Sequence, residues 1–318
     1  MTSALICASH SPLLHCFQKP PQDWDKIESA FSNMAAFVED FDPQLVVILG
    51  SDHFNGVFLK MMPAFCIALK AEATSDIGGY AGPVSVDESE AFKLTSHLRD
   101  ADFDPAVSYQ MTLDHAFSQT LYKATGALDR YPTIPIFINC ITRPFVPFRR
   151  TRLFGEALGR YAASLQKRVL FLASGGMSHH PTRYYPDPAD AEAPVAAWQL
   201  SGGTIPPSMS PPQWLDRLEV MHHEGAGMIA RGERTAKDMR LNPESDKRFL
   251  DVLLSGDYKG FDGWDAEQLI NEGGIGSMEL HTWIAAAAAH GAMGGAPPSL
   301  DLYTVAPEIG IACGIVHA

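Results

Sequence analysis

The chain has 318 residues, 46% of them hydrophobic and 19% charged, the balance of a soluble globular enzyme with a sizeable core. That length fits one large domain or two modest ones. Its 24 basic and 37 acidic residues give a formal net charge of −13, which argues against a nucleic-acid surface and for a soluble cytoplasmic protein.

The five cysteines, Cys7, Cys16, Cys66, Cys140 and Cys313, are scattered and form no CxxC pair. Cys7, Cys66 and Cys140 lie inside apolar runs, so buried reduced thiols are expected. The amino terminus lacks a basic region followed by a long apolar stretch, so no signal peptide is expected. The apolar run Ala4–Ala8 and the alanine-rich Trp283–Ala289 are both too short to span a bilayer, so no membrane association is expected.

Ala4–Ala8 reads as a buried strand, followed at once by Ser9-His10-Ser11-Pro12, where the proline ends strand pairing. Between Asp23 and Phe41, Trp24, Ile27, Phe31, Met34, Phe37 and Val38 recur at helical spacing. Leu45–Leu49 is an unbroken apolar run that stops at Gly50-Ser51-Asp52 and delivers His53 before an Asn55-Gly56 turn. Strand, helix, strand predicts a parallel pair of neighbours with a right-handed crossover. His10 and His53 then leave the sheet at the same edge, where open α/β sheets build their sites.

Phe65–Leu69 is a further short strand, Gly78–Pro83 a loop, and Asp87–Leu98 a helix capped by Asp87. Ala106–Tyr109 is a weak strand. Asp114 caps a helix running to Leu128, which sets His115 in its first turn, beside the positive end of the dipole. Ile134–Cys140 is a strand and Phe148–Leu165 a helix. Arg168–Ala173 is a strand that ends in Ser174-Gly175-Gly176-Met177-Ser178-His179. A strand, a small flexible turn and a histidine have now occurred three times.

Tyr184–Pro212 is rich in Pro, Gly, Ala and Ser and reads as an irregular surface excursion. Helical patterns follow at Trp214–Arg231, around Arg248–Leu254 and at Ala266–Glu272. Ser277, after Gly273, Gly274 and Gly276, is the expected cap of a helix through Ala289. Leu300–Val305 and Ile309–Val316 read as terminal strands. Neither an internal repeat beyond the strand-to-histidine device nor a firm domain boundary is visible.

Two strand-end histidines with one carboxylate is a ligand set of non-haem Fe(II) oxygenases. The same set suits some hydrolytic zinc sites, so ligand types alone do not name the metal. Glu279 is the preferred carboxylate because it enters a helix from a Gly-rich turn; Asp52 and Asp114 compete with it. His115 and His179 are left for proton transfer, to which an imidazole is suited near neutral pH. His15, His97, His222, His223, His290 and His317 read as structural or solvated, while His180 and His281 are close enough in sequence to stay open. Met221-His222-His223-Glu224 imitates a metal pair, but adjacent helical residues point apart and HExxH is absent.

At these residues the chain resembles the class III extradiol ring-cleaving catechol dioxygenases, and within them the branch acting on 2,3-dihydroxyphenylpropionate. The matching stretches are Ser9–Pro12, Asp52–Gly56, Asp114–Phe117, Phe137–Asn139, Arg168–Leu172, Ser174–His179 and Glu279–Trp283. They run in order along nearly the whole chain. The resemblance implies Fe(II) held by His10, His53 and Glu279, with His115 and His179 as acid/base residues. Asp114 and Pro181 would orient or shape the site. It further implies a single α/β catalytic domain over residues 1–318, with a mixed central sheet, helices on both faces and an irregular insertion around 184–212. A homo-oligomer, a catechol substrate and dioxygen follow from the same source. Arg143 or Arg183 would meet an acidic substituent on the ring; Phe54, Phe117 and Tyr184 fit either a pocket or the core. The competing functions are a divalent-metal hydrolase on the same ligands and a catalytically silent binding protein of the same fold.

Overall fold

A computed structural model describes residues 2–181, 191–202 and 211–318, the side chains of 194 and 211–217 excepted. The chain opens with β1 (Ser3–Ala8), α1 (Trp24–Phe41) and β2 (Leu45–Gly50). Next come β3 (Phe65–Ala68), β4 (Ala71–Ala73), β5 (Gly82–Val84), α2 (Glu88–Asp100), β6 (Ala106–Ser108) and β7 (Met111–Leu113). The middle of the chain supplies α3 (His115–Thr125), β8 (Thr133–Ile138), α4 (Phe148–Ser164) and β9 (Val169–Ser174). Helices α5 (Ala193–Ser201), α6 (Pro211–Ala230), α7 (Pro243–Ser255), α8 (Ala266–Gly273) and α9 (Leu280–Ala292) then precede β10 (Ser299–Ala306) and β11 (Ile311–His317).

Among the described residues the main sheet holds eight strands in the order β10-β11-β1-β9-β2-β8-β3-β6. β1, β9, β2 and β8 are mutually parallel, while β11, β10 and β3 bring antiparallel pairings, so the sheet is mixed. Every residue of β1 after Ser3, and all of β2 and β9, is buried, which is why these strands read as continuous apolar runs. Their side chains alternate between two cores. Leu45, Val47 and Leu49 face α2, α4, α7 and α9 on one side. Val46 and Ile48 face α1 and α3 on the other. Helices therefore cover both faces, as the sequence led one to expect.

The expected pairing of β1 with β2 is overturned: β9 lies between them, with Ala8 opposite Ser174 and Leu49 opposite Ala173. The crossover through α1 leaves a gap of one strand, which the later chain fills. The shared edge survives because all three strands point the same way. A second sheet, β5-β4-β7, was not visible in the sequence, its strands being three residues each.

Three local expectations change. Ser277 does not cap α9: residues Ile275–Glu279 form a 3-10 turn, Glu279 precedes the helix, and the Ser277 hydroxyl donates to the Gly273 carbonyl at 2.8 Å. The excursion at 184–212 is not wholly irregular, since α5 lies within it; residues 182–190 and 203–210, including Arg183 and Tyr184, lie outside the described residues. The alanine-rich segment is buried all round in α9, where Gly155 and Gly159 of α4 approach so closely that a Cβ on either would lie 2.2 Å from a backbone carbonyl of α9. No helix is long and apolar enough to cross a membrane, among the described residues. All five cysteines are buried and free.

Candidate metal centre and active site

The parallel edge of the sheet delivers its histidines to one point. His10 follows β1 and His53 follows β2; both are buried. Each ring has one nitrogen engaged from behind. His10 Nδ1 meets the Ser174 hydroxyl at 3.0 Å, and that hydroxyl pairs with Thr120 Oγ1 at 2.7 Å. His53 Nδ1 donates to Asp114 Oδ2 at 3.0 Å. The opposite nitrogens, both Nε2, face one carboxylate oxygen: Glu279 Oε1 lies 3.7 Å from that of His10 and 3.2 Å from that of His53. Glu279 Oε2 is held by the backbone N–H of Gly176. Asp52 and Asp114 are both committed elsewhere. Asp52 accepts the backbone N–H groups of Asn55, Gly56 and Val57, and so builds the turn that carries His53. Asp114 accepts from His53 and caps α3 through the Ala116 N–H.

His115 sits in the first turn of α3, its ring stacked on that of His53 at 4.4 Å between centroids. Its Nδ1 meets Asp76 Oδ2 at 2.5 Å. Asp76 was not picked out from the sequence. It follows β4, and the parallel pairing of β4 with β7 sets it beside Asp114, which follows β7. A carboxylate placed by a three-residue strand leaves no periodic signal.

His179 lies half-buried in the loop after β9. Its Nδ1–H donates to the Met177 carbonyl at 2.9 Å, so Nε2 carries the lone pair. Glycines pack on the ring: a Cβ on Gly276 would lie 2.1 Å from it, and one on Gly176 2.4 Å. Ser178 anchors the loop by donating both its N–H and its hydroxyl to Asp246 of α7, at 2.8 and 2.7 Å.

His10, His53, His115, His179 and Pro181 line one cavity, with about 580 Å³ of free space counting its mouth. Ser11, Pro12, Leu13, Ile309, Gly310 and Ile311 form one wall; His222 and Gly225 of α6, with Arg234 beyond it, complete the lining. His222 read from the sequence as structural or solvated and Arg234 was not singled out; they belong to a helix and loop whose pattern says nothing of the pocket. Arg143 does not reach it, being paired with Glu267 at 2.6 and 2.7 Å on the surface. Phe54 packs with Ile77, Trp198 and Leu218, and Phe117 belongs to the core against Gly50. His281 faces away into the core, stacked on Phe148 and bonded to Thr151. His180 stands beside the pocket, its carbonyl accepting from Arg234 Nη2 at 3.0 Å.

The electrostatics of the centre favour a cation. Burial alone would raise Glu279, yet the rings of His10 and His53 hold it well below the usual carboxylate range. Asp114 is likewise held low by His53 and His115 against its burial. Burial pushes His10 and His115 down to about 3 against the pull of the neighbouring carboxylates. His53 moves the other way, because Asp114 and Glu279 outweigh its burial. Two ionised carboxylates against one raised imidazole leave negative charge in a low-dielectric site, which a divalent ion held by His10, His53 and Glu279 would offset. The donor set fits such an ion: two imidazoles and one carboxylate, with the cavity side left open.

An α/β fold with two strand-end histidines, a facing carboxylate and further imidazoles around one cavity defines the class of metal-centred enzymes. Residues 4–307 match the family model described as the catalytic LigB subunit of aromatic ring-opening dioxygenase, and the chain belongs to that family. A 2,3-dihydroxyphenylpropionate/2,3-dihydroxicinnamic acid 1,2-dioxygenase of Rhodococcus sp is 41% identical over 92% of this chain and 91% of its own. Its namesake from Rhodococcus rhodochrous is 40% identical over 95% and 93%. A third, from Dechloromonas aromatica (strain RCB), is 36% identical over 100% and 99%. A solved structure of an uncharacterized Escherichia coli K12 protein aligns over 99% of this chain at 13% identity, with a TM-score of 0.48, a likeness too weak to extend the assignment. The chain is thus a metal-dependent ring-opening dioxygenase, and the hydrolase and silent-binder alternatives fall away.

Proposed function

We propose that this enzyme cleaves 2,3-dihydroxyphenylpropionate, or a closely similar catechol bearing an acidic side chain, by extradiol addition of dioxygen at an Fe(II) centre held by His10, His53 and Glu279. The observation that carries the reading is the convergence of both Nε2 atoms on Glu279 Oε1 beside a cavity that His115 and His179 also line. We take residues 1–318 to act as one catalytic domain, in a cytoplasmic homo-oligomer.

When bound, the metal supplies Lewis acidity toward the catechol oxygens and a route for electron density from ring to dioxygen. The protein supplies position and protons. His179 Nε2 carries a lone pair toward the cavity and takes a proton from a ring hydroxyl as the catechol binds. Asp76, raised well above the carboxylate range by burial and by the Asp114 charge, keeps a proton facing His115 Nδ1. His115 then presents Nε2–H to the cavity and donates it as the O–O bond breaks, taking the Asp76 proton at Nδ1 so that the ring stays neutral. Asp114 and the Ser174–Thr120 pair hold the ligand rings by their rear nitrogens, which fixes both tautomer and orientation. Pro181 shapes the pocket mouth, and Arg234 meets the carboxylate of the side chain.

Anaerobic loading with Fe(II), followed by 2,3-dihydroxyphenylpropionate and oxygen, tests the reading. One dioxygen consumed per substrate, with a yellow ring-opened product, supports it. Absence of oxygen uptake with every catechol tried defeats it.

A further inference from the structure

Outside the catalytic cavity, three metal-type donors meet on the far side of its wall. His15 ends the 3-10 turn Pro12–His15, Cys16 follows it, and His223 projects from α6. One donor atom from each of the three lies within 4.8 Å of the others. The two rings stand edge to face at 6.3 Å between centroids. Glu219, one helical turn before His223, brings a carboxylate oxygen to 3.8 Å from His223 Nε2. Neither imidazole is used in the proposed reaction, and His223 was read from the sequence as structural or solvated.

We propose that His15, Cys16, His223 and Glu219 form a second metal site, selective for Zn²⁺ and built to staple the Pro12–His15 turn to α6. One thiolate, two imidazoles and a carboxylate is a tetrahedral donor set for a borderline-soft ion, not for Mg²⁺ or Ca²⁺. Ligands around zinc stand about 3.3–3.9 Å apart, as bond lengths near 2.0–2.3 Å require. Rotation of His15 and His223, both exposed, would close the donors to that spacing. Cys16 is buried beneath them, and burial together with the Glu219 charge pushes its thiol up to about 11. Binding therefore breaks the S–H bond, forms the metal–thiolate bond and releases one proton to solvent, so affinity rises with pH.

The site has a consequence for the pocket. Ser11, Pro12 and Leu13 line the cavity just before His15, and His222 and Gly225 line it on either side of His223. A metal bridging the two segments fixes two walls of the cavity relative to each other.

The thiolate gives a signature that the catalytic centre lacks, since none of the donors there is sulfur. The enzyme, with its catalytic metal in place, is titrated with Co²⁺. One further equivalent is expected to produce a near-ultraviolet thiolate-to-cobalt charge-transfer band, which Zn²⁺ then abolishes by displacement. Cys16→Ser, a near-isosteric change, is expected to lose the band. His223→Gln, at an exposed helical position that folding does not depend on, is expected to weaken binding at least tenfold. Zn²⁺ is likewise expected to raise the Tm of the wild type and not that of His223→Gln. No band in the wild type, or an undiminished band in both variants, overturns the proposal.

Discussion

The Asp114 carboxylate grips His53 twice, its Oδ2 accepting the backbone N–H at 2.7 Å and the ring Nδ1–H at 3.0 Å. One oxygen thus fixes the main chain at the end of β2 and the tautomer of the imidazole it carries. Asp114→Asn keeps the shape but offers the ring a weaker, neutral acceptor. Such partners of metal-bound histidine are worth about 10–100-fold in metal affinity. Asp114→Asn should therefore release the metal at about 10–100-fold lower chelator concentration while retaining a native circular dichroism spectrum. Unchanged retention would mean that Asp114 serves only to cap α3.

Gly276 and His179 make a second paired prediction. A Cβ at Gly276 would lie 2.1 Å from the His179 ring, and the Gly276 N–H also donates to the His179 carbonyl at 3.0 Å. Gly276→Ala must push the imidazole out of its place, and Gly276 shares the 3-10 turn Ile275–Glu279 with Glu279, a proposed ligand. Loss of one positioned acid/base group costs about 10²–10⁴-fold in rate. We expect Gly276→Ala and His179→Ala both to lose turnover on that scale, and His179→Ala, which leaves that turn untouched, to bind the metal at close to the normal stoichiometry. If His179→Ala strips the metal, the division between ligands and proton carriers is wrong.

His281 gives a stability prediction away from the chemistry. Burial pushes it down to about 3, so it stays neutral in the fold while the unfolded chain protonates below about 6.5. A depressed histidine is a stabilising neutral group above the unfolded value, and its contribution is lost as pH falls below it. The cost is about 1.4 kcal/mol per pH unit for one such group. His281→Asn keeps a polar atom for Thr151 and removes the titration. Urea unfolding of both proteins at about pH 7 and about pH 5 should show the variant losing less stability on acidification, by about 2 kcal/mol over the whole interval. Equal slopes would place the acid sensitivity elsewhere.

What the sequence disclosed follows from how each residue is placed. Strands buried on both faces are long apolar runs, so β1, β2 and β9 and the histidines at their ends were legible. Their spatial order was not, because β9 enters between β1 and β2 from more than 100 residues later and leaves no local trace of the insertion. Asp76 escaped notice because a three-residue strand has no period to detect. His222 and Arg234 escaped for a different reason: helix periodicity reports which face is buried, not that the burial borders a cavity. Asp87 and Asp114 were punctuation of the ordinary kind, two helix caps, but the left-handed Gly126 that ends α3 at Thr125, short of the expected Leu128, was passed over, and the glycines around Glu279 concealed a 3-10 turn that moved the start of α9 past Ser277.

Arg234 sets the last prediction, on substrate choice. Its Nη2 donates to the His180 carbonyl at 3.0 Å, which carries the guanidinium to the cavity wall near Pro181. Burial holds the neighbouring His222 down to about 4, so it adds no charge near neutral pH. Among the described lining residues Arg234 is then the group that meets an anionic substituent as a cation. A hydrogen bond to a charged partner is worth about 1.5–3 kcal/mol, or roughly 10–150-fold in binding. Arg234→Gln keeps a donor for the His180 carbonyl and removes the charge. It should raise KM for 2,3-dihydroxyphenylpropionate by about 10–100-fold, leave kcat within a few-fold, and leave KM for unsubstituted catechol unchanged. A parallel rise for both substrates would assign Arg234 to holding the loop, and the acid-recognising group would have to be sought among other residues.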